Sequence, residues 1–145
     1  FDITYGINQI GIHYDRVQFG MKVSDAQSLA SYFGRCTVLS SLILQCNIID
    51  DDLLKMLIVG LSETISITQL NLSHNKISNH GVRMLSTMLM NPNCVLARLN
   101  LADNQIHVEG GRYLGRGLRE NSSLLDLNVR LNRLTDEGLR MLLEG

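Results

Sequence analysis

One stretch decides the fold: Leu96-Ala-Arg-Leu99-Asn-Leu101-Ala-Asp-Asn104-Gln-Ile106. It follows the pattern LxxLxLxxNxL, and the same pattern begins again at Leu39, Ile67 and Leu124. The second apolar position of each copy falls 28, 29 and 28 residues after that of the copy before it. Four copies at nearly constant spacing predict a chain built of stacked structural repeats.

Each repeat is predicted to contain a short strand followed by a helix. Leu99 and Leu101 are two residues apart, so on a strand both point into the core, while Asn100 points to the opposite face. After each asparagine the leucines recur at helical spacing, four residues apart on one face. The helical leucines are Leu57, Leu61, Leu85, Leu89, Leu114, Leu118 and Leu142.

The expected fold is an α/β solenoid. Its strands form a parallel sheet on the concave side, and its helices lie on the convex side. One repeat cannot bury its leucines alone, so stacking creates the continuous core. Replacing a central residue such as Leu99 with alanine is expected to cost about 2–5 kcal/mol.

The repeat pattern divides the chain into two parts. Residues 37–145 are predicted to hold four repeats, and residues 1–36 an irregular N-terminal repeat. In that first part, Phe1-Asp-Ile3 is a candidate strand, and Asp25 to Phe33 a candidate helix opened by Ser24 or Asp25. The stretch from Tyr5 to Val23 is expected to be an irregular excursion. Because the chain starts without Met and stops just after a predicted helix, we expect a fragment of a longer protein.

Composition restricts the function. Thirteen basic and 14 acidic residues give a net charge of −1, which argues against nucleic acid because phosphate binding needs a basic surplus. No apolar run reaches the roughly 18 residues of a membrane span.

The three cysteines form no CxxC pair and are read as buried thiols of a cytoplasmic protein. The histidines match no metal-binding spacing, and no catalytic arrangement is visible, so we expect no cofactor, no metal and no enzymatic activity.

The acidic run Asp50-Asp51-Asp52 lies just ahead of a predicted helix over Leu53–Leu61. It lacks the alternating ligands, central glycine and closing glutamate of a calcium loop. We therefore interpret it as a helix cap that stabilises the positive end of the helix dipole.

One asparagine recurs where each strand ends and the chain turns. Its amide is predicted to bridge backbone groups of neighbouring repeats, and losing one is expected to cost roughly 1–3 kcal/mol. This structural column contains Asn47, Asn75, Asn104 and Asn132.

Two surfaces are candidates for binding proteins. The first is the concave row, which begins at Ile43 and Gln45, has mixed charge and suits hydrogen bonding to a partner; the alternative is a solvated sheet face. Its predicted binding residues are Gln69, Asn71, Ser73, Arg98, Asn100, Asp126, Asn128 and Arg130.

The second surface is a basic stripe on the helical side. A cation near a helix N-terminus is mildly unfavourable, so helix stability does not explain the stripe. We expect it to face an acidic partner, such as the surface of tubulin; the alternative is a position where repeats commonly carry basic residues. The stripe consists of Lys55, Arg83, Arg112, Arg116, Arg119 and Arg140.

The alternation of 28 and 29 residues, the glycine-led helices and the junction Asn91-Pro-Asn-Cys94-Val-Leu96 resemble the ribonuclease-inhibitor class of leucine-rich repeats. This resemblance covers about residues 37 to 145. It leaves open a cytosolic inhibitor or ligand sensor that uses the concave face. It also leaves open a GTPase-activating repeat protein that supplies Arg98 or Arg130.

A narrower resemblance lies in the non-consensus residues, which are similar to the dynein regulatory complex subunit 5 family (T-complex-associated testis-expressed proteins). That family implies a scaffold in the nexin–dynein regulatory complex of motile cilia, located in the cytoskeleton of the axoneme and bound to other axonemal subunits. It implies no catalytic residue. The matching residues are Phe1-Asp-Ile-Thr-Tyr-Gly6 with Gly11, Ser28-Leu-Ala30, Cys36, Asp50-Asp-Asp52, Leu127-Asn-Val-Arg-Leu-Asn132 and Asp136-Glu-Gly138.

Overall fold

The computed structural model describes residues 20–144, in which helices and strands alternate along the chain. The candidate strand Phe1–Ile3 and the excursion that begins at Tyr5 lie outside these residues, except for the last few positions of the excursion. The helices are α1 Val23–Phe33, α2 Asp51–Glu63, α3 Asn79–Leu89, α4 Val108–Glu120 and α5 Thr135–Glu144. The strands are β1 Ser41–Ile43, β2 Gln69–Asn71, β3 Arg98–Asn100 and β4 Asp126–Asn128.

The four strands form one parallel sheet in the order β1-β2-β3-β4. Their central leucines are in register, with Leu42 beside Leu70, Leu70 beside Leu99 and Leu99 beside Leu127. The hydrogen bonds continue past the strands, since the N–H of Leu72 donates to the carbonyl oxygen of Asn100 at 2.8 Å. The predicted α/β solenoid of leucine-rich repeats is therefore confirmed.

The core is a single apolar cluster between the sheet and the helices. Strand leucines such as Leu99, which is 1% exposed, meet helical leucines such as Leu114, which is fully buried. In the last repeat the equivalent strand residues, Leu127 and Val129, are only half-buried. Burial therefore decreases toward the C-terminal repeat.

The residue before each structural asparagine has a left-handed backbone. The φ angles are 59° at Cys46, 56° at His74, 52° at Asp103 and 57° at Leu131. This region is unfavourable for residues with a Cβ atom. The same local conformation thus turns the chain out of every strand, although none of these residues is glycine.

Two helices begin earlier than predicted. Helix α1 begins at Val23, with Lys22 as its N-cap residue instead of Ser24 or Asp25, and the carboxylate of Asp25 accepts from the N–H of Lys22 at 2.9 Å. Helix α2 begins at Asp51, because the side chain of Asp50 caps it by accepting from the N–H of Leu53 at 3.0 Å.

Glycines allow neighbouring helices to approach each other closely. A methyl group at Gly60 in α2 would overlap the backbone of Ala30 in α1. One at Gly111 in α4 would likewise overlap the backbone of Gly138 in α5. Helix packing in both places requires the absence of a side chain.

The cysteines are free but not uniformly buried. Cys36 is buried, whereas Cys46 and Cys94 are half-buried, so the prediction of three buried thiols is wrong for two of them. The Tyr32 hydroxyl lies 3.5 Å from the Cys36 sulfur, and this hydrogen bond lowers the pKa of the thiol. Within residues 20–144, no helix has the length and apolar character needed to cross a bilayer.

Candidate functional site

The structural asparagines join consecutive repeats through their side chains. The Nδ2 of Asn104 donates to the carbonyl oxygen of its own Leu101 at 3.1 Å and to that of Leu72 in the previous repeat at 3.0 Å. Its Oδ1 accepts from the N–H of Ile77 at 3.0 Å. Asn75 and Asn132 make the equivalent bonds to the repeats before them.

This ladder is internal. Asn47, Asn75 and Asn104 are 0%, 9% and 7% exposed. The amides of Asn75 and Asn104 are bound to the backbone through both oxygen and nitrogen, and Nδ2 of Asn47 donates to the carbonyl oxygen of Gln45 at 3.0 Å. The ladder therefore fixes the positions of the strands that carry the concave face.

The concave face consists of parallel rows that run across the strands. Gln69, Arg98 and Asp126 are neighbours in register, and all three are exposed. A second row contains the half-buried Ile43, Asn71, Asn100 and Asn128. The two rows line an open depression of about 260 Å³.

Ser73 does not belong to this surface. It is 2% exposed, its hydroxyl donates to Oδ1 of Asn71 at 2.7 Å, and its N–H donates to the same atom at 3.0 Å. The prediction that Ser73 contacts a partner is therefore wrong. At the equivalent positions of the next repeats, Ala102 is 9% exposed but Arg130 is exposed, so this position is buried in the second and third repeats and not in the fourth.

A second column of asparagines was not recognised as structural from the sequence. Oδ1 of Asn71, Asn100 and Asn128 each accepts from the N–H two residues later, at 3.0, 3.0 and 3.1 Å. The signal was available, because an asparagine lies between the strand leucines in three successive repeats. These amides close the end of each strand and have a fixed orientation.

The basic stripe lies on the exposed surface of helices α2 to α5. Three residues earlier in each helix is an acidic or histidine position, and Glu109 there binds Arg112 at 2.6 Å. Arg112 also lies 5.7 Å from the ring centroid of Tyr113. Three of the four aligned basic residues are therefore accompanied by an acid, which is Asp52, Glu109 or Glu137 and reduces the net charge of the stripe, while Arg83 is accompanied by His80.

The two additional arginines of the stripe differ from each other. Arg119 donates to the carbonyl oxygen of Glu144 at 3.2 Å, so it also stabilises the C-terminal end of α5. Arg116 is exposed and forms no ion pair within residues 20–144. Arg116 is thus available for a partner, whereas Arg119 already has a role within the fold.

A histidine–aspartate contact that the sequence did not predict connects two turns. Nδ1 of His74 and Oδ2 of Asp103 are 2.7 Å apart, and both side chains are about half exposed. The two residues occupy the left-handed position in consecutive repeats. The pair therefore follows directly from the register of the solenoid.

The family model described as "Leucine Rich repeat" matches residues 65–86, 93–115 and 120–143. Mouse NACHT, LRR and PYD domains-containing protein 4E is 36% identical over 107 residues, which are 74% of this chain and 11% of that protein. Mouse ribonuclease inhibitor is 41% identical over 80 residues, which are 55% of this chain and 18% of the inhibitor. The chain thus spans less than a fifth of either relative.

Two solved structures have the same fold. "Leiomodin-1 Actin-Binding Site 2 (ABS2)" aligns with a TM-score of 0.73 at 22% identity, over 85% of this chain and 70% of that one. The tropomodulin C-terminal domain of Caenorhabditis elegans aligns with a TM-score of 0.68 at 19% identity, over 81% and 71%. At these identities the likeness shows the fold alone. The chain carries leucine-rich repeats homologous to those of ribonuclease inhibitor and of the NACHT, LRR and PYD domains-containing proteins.

Proposed function

We propose that this chain is a protein-binding scaffold that contacts its partner through the concave face. The row formed by Gln69, Arg98 and Asp126 carries this proposal, because three exposed polar side chains lie side by side on strands in fixed register. The strands are held by the buried asparagine ladder, so little conformational freedom has to be lost on binding.

We further propose that the partners are axonemal and that the chain is a scaffold of the nexin–dynein regulatory complex. Support comes from the resemblance in the non-consensus residues, including Cys36, the Asp50–Asp52 run and the Leu127–Asn132 stretch. Asp50 caps α2, and Asp51 accepts hydrogen bonds from Ser78 in the next repeat. On this proposal the protein resides in the axoneme of motile cilia and helps to regulate dynein-driven motility.

The test is binding of the purified chain to detergent-extracted axonemes. Gln69→Trp places a bulky neutral side chain in the concave row, and Thr87→Trp places the same group on the exposed face of α3. We expect the first change to weaken binding at least tenfold and the second to leave it unaltered. Equal binding of the wild-type chain and Gln69→Trp would exclude the concave face as the docking surface.

A second candidate is an inhibitor or ligand sensor, favoured by the 41% identity to mouse ribonuclease inhibitor. Inhibition of a ribonuclease by the wild-type chain, lost in Gln69→Trp, together with no axonemal binding, would select this function. A GTPase-activating role would instead require faster GTP hydrolysis that disappears with Arg98→Ala or Arg130→Ala.

We propose the basic stripe as a second contact, toward an acidic surface such as that of tubulin. Charge reversal with Arg112→Glu and Arg116→Glu is expected to weaken co-sedimentation with microtubules and to flatten its salt dependence. Glu109→Gln with Glu137→Gln is the matched control, because removing the accompanying acids is expected to strengthen the same binding. Unchanged binding in both variants would contradict a role for the stripe.

A further inference from the structure

We infer that the concave face selects a partner segment rich in hydrogen-bond acceptors, above all the carboxylates of an acidic peptide. This inference rests on the proposed function and names the class of partner for the same surface. It follows from the orientation of the asparagine amides in the row Asn71, Asn100 and Asn128.

Each of these amides has its oxygen occupied. Oδ1 of Asn100 accepts from the N–H of Ala102 at 3.0 Å, and Oδ1 of Asn128 accepts from the N–H of Arg130 at 3.1 Å. An amide has one acceptor atom and one donor group. Because the acceptor is bound to the backbone, the Nδ2 group is the part directed toward a ligand.

Two of these three donor groups, those of Asn100 and Asn128, lack an acceptor among the described residues, whereas that of Asn71 is bound. Across residues 20–144, no group accepts from Nδ2 of Asn100 or of Asn128. In the neighbouring repeats, Nδ2 of Asn71 donates to Oε1 of Gln45 at 3.1 Å, so that donor is already used within the protein. Among the described residues, the unbound amide donors of this row therefore lie on β3 and β4.

The arginines of the face add to the same character. Arg98 and Arg130 are exposed, form no ion pair with another described residue, and carry donors but no acceptor. Guanidinium groups bind carboxylates with charge-assisted, often bidentate hydrogen bonds. Asp126 is the acidic residue of the predicted row, so the face retains a positive surplus and a predominance of donors.

A partner that offers donors is correspondingly disfavoured. A lysine-rich segment would meet two arginines and a row of N–H groups, and it would have Asp126 as its charged acceptor. A segment with several carboxylates can instead accept from Asn100, Asn128 and the two arginines together. Complementarity of this kind sets specificity more than it sets total affinity.

Aspartate is a matched substitution for this test. Asn100→Asp with Asn128→Asp retains the oxygen that accepts from Ala102 or Arg130 and converts the outward donor into an acceptor. The strand ends should keep their hydrogen bonds, which a thermal melt checks. A second variant, Arg98→Gln with Arg130→Gln, removes charge from exposed positions and tests the same inference if the first variant fails to fold.

In the experiment, the immobilised wild-type chain is used to select binders from a phage library that displays random twelve-residue peptides. The affinity of each selected peptide is then measured for three variants. Loss of affinity for Gln69→Trp identifies the peptides that bind the concave face, whatever their charge. The aspartate and glutamine variants then test whether those peptides depend on the donors of the face. We expect concave-face binders to be enriched in Asp and Glu. Their affinity should fall at least tenfold with the aspartate variant and at least fivefold with the glutamine variant.

Two outcomes overturn the inference and are distinguishable. If the concave-face binders are neutral or basic, or bind the aspartate and glutamine variants as tightly as the wild type, the preference for acceptors is wrong and the proposed docking face stands. If no selected peptide depends on Gln69, the docking face itself is wrong, and the inference falls with it.

Discussion

Asn100 and Asn104 are four residues apart in the third repeat, yet their amides have different surroundings. Asn104 is 7% exposed and donates to the carbonyl oxygens of Leu72, Leu101 and Ala102, whereas Asn100 is half-buried and its Nδ2 has no acceptor among residues 20–144. Residue type alone does not separate a structural amide from one available to a partner. The separation comes from which backbone groups surround each side chain.

Aspartate at the two positions should therefore have opposite consequences. Asn104→Asp turns a donor toward three carbonyl oxygens into a charged acceptor, and we expect it to lower the free energy of unfolding by roughly 3 kcal/mol or more. Asn100→Asp keeps its acceptor bond and should change that energy by less than about 0.5 kcal/mol. Urea denaturation measures both, and similar losses in the two variants would contradict the assignment.

Leu131 combines two unfavourable features, since it is 75% exposed and has a φ of 57°. Asparagine tolerates the left-handed region better than leucine does. We expect Leu131→Asn to raise the free energy of unfolding by about 1 kcal/mol. Leu125→Asn is the control, because Leu125 is 86% exposed and has no positive φ. Equal effects of the two changes on the urea midpoint would show that backbone strain is not the cause.

At the scale of the element, close helix packing depends on particular glycines. A methyl group at Gly111 would overlap the backbone of Gly138 in α5, and backbone cannot move aside without shifting a helix. At Gly34, which ends α1 in a right-handed conformation, the nearest obstacle is the flexible carboxylate of Glu63. Comparing alanine substitutions at the two sites therefore distinguishes helix-packing strain from the general effect of replacing glycine.

Gly111→Ala is expected to be destabilising despite the better helix propensity of alanine. Overpacking costs typically 1–3 kcal/mol, and alanine recovers about 1 kcal/mol within a helix. Gly34→Ala should be neutral or slightly stabilising. Thermal melts followed by circular dichroism compare the two, and a Gly111→Ala protein as stable as Gly34→Ala would contradict the packing argument.

The four strands and the helices α2 to α5 follow from the spacing of the leucines, because one repeat cannot bury its leucines alone and stacking does. The sequence did not reveal the left-handed turns, since Cys46, His74 and Leu131 are not typical turn residues. It also misplaced the start of α1, because the cap uses the Asp25 carboxylate and a lysine backbone N–H. Ser73 was wrongly assigned to the concave face, because the alternation of inward and outward side chains along a strand does not indicate where the strand ends.

For the molecule as a whole, burial is unequal along the stack. Leu99 lies between two neighbouring strands and is 1% exposed, while its equivalent Leu127 lies in the last strand of the sheet and is half-buried. Leu143, on α5, is 85% exposed. In a solenoid each repeat contacts only its neighbours, so stability is approximately a sum of repeat and interface terms.

The same leucine-to-alanine change should therefore cost different amounts in different repeats. We expect Leu99→Ala to lower the free energy of unfolding by about 2–5 kcal/mol, because it leaves a cavity between two interfaces. Leu127→Ala removes the same atoms from a half-buried site, and burial of less apolar area reduces the cost to about 1–2 kcal/mol. Urea denaturation monitored by circular dichroism gives both values. Equal costs would show that the fourth repeat is as tightly held as the third and that stability in this chain does not follow the local burial of the leucine ladder.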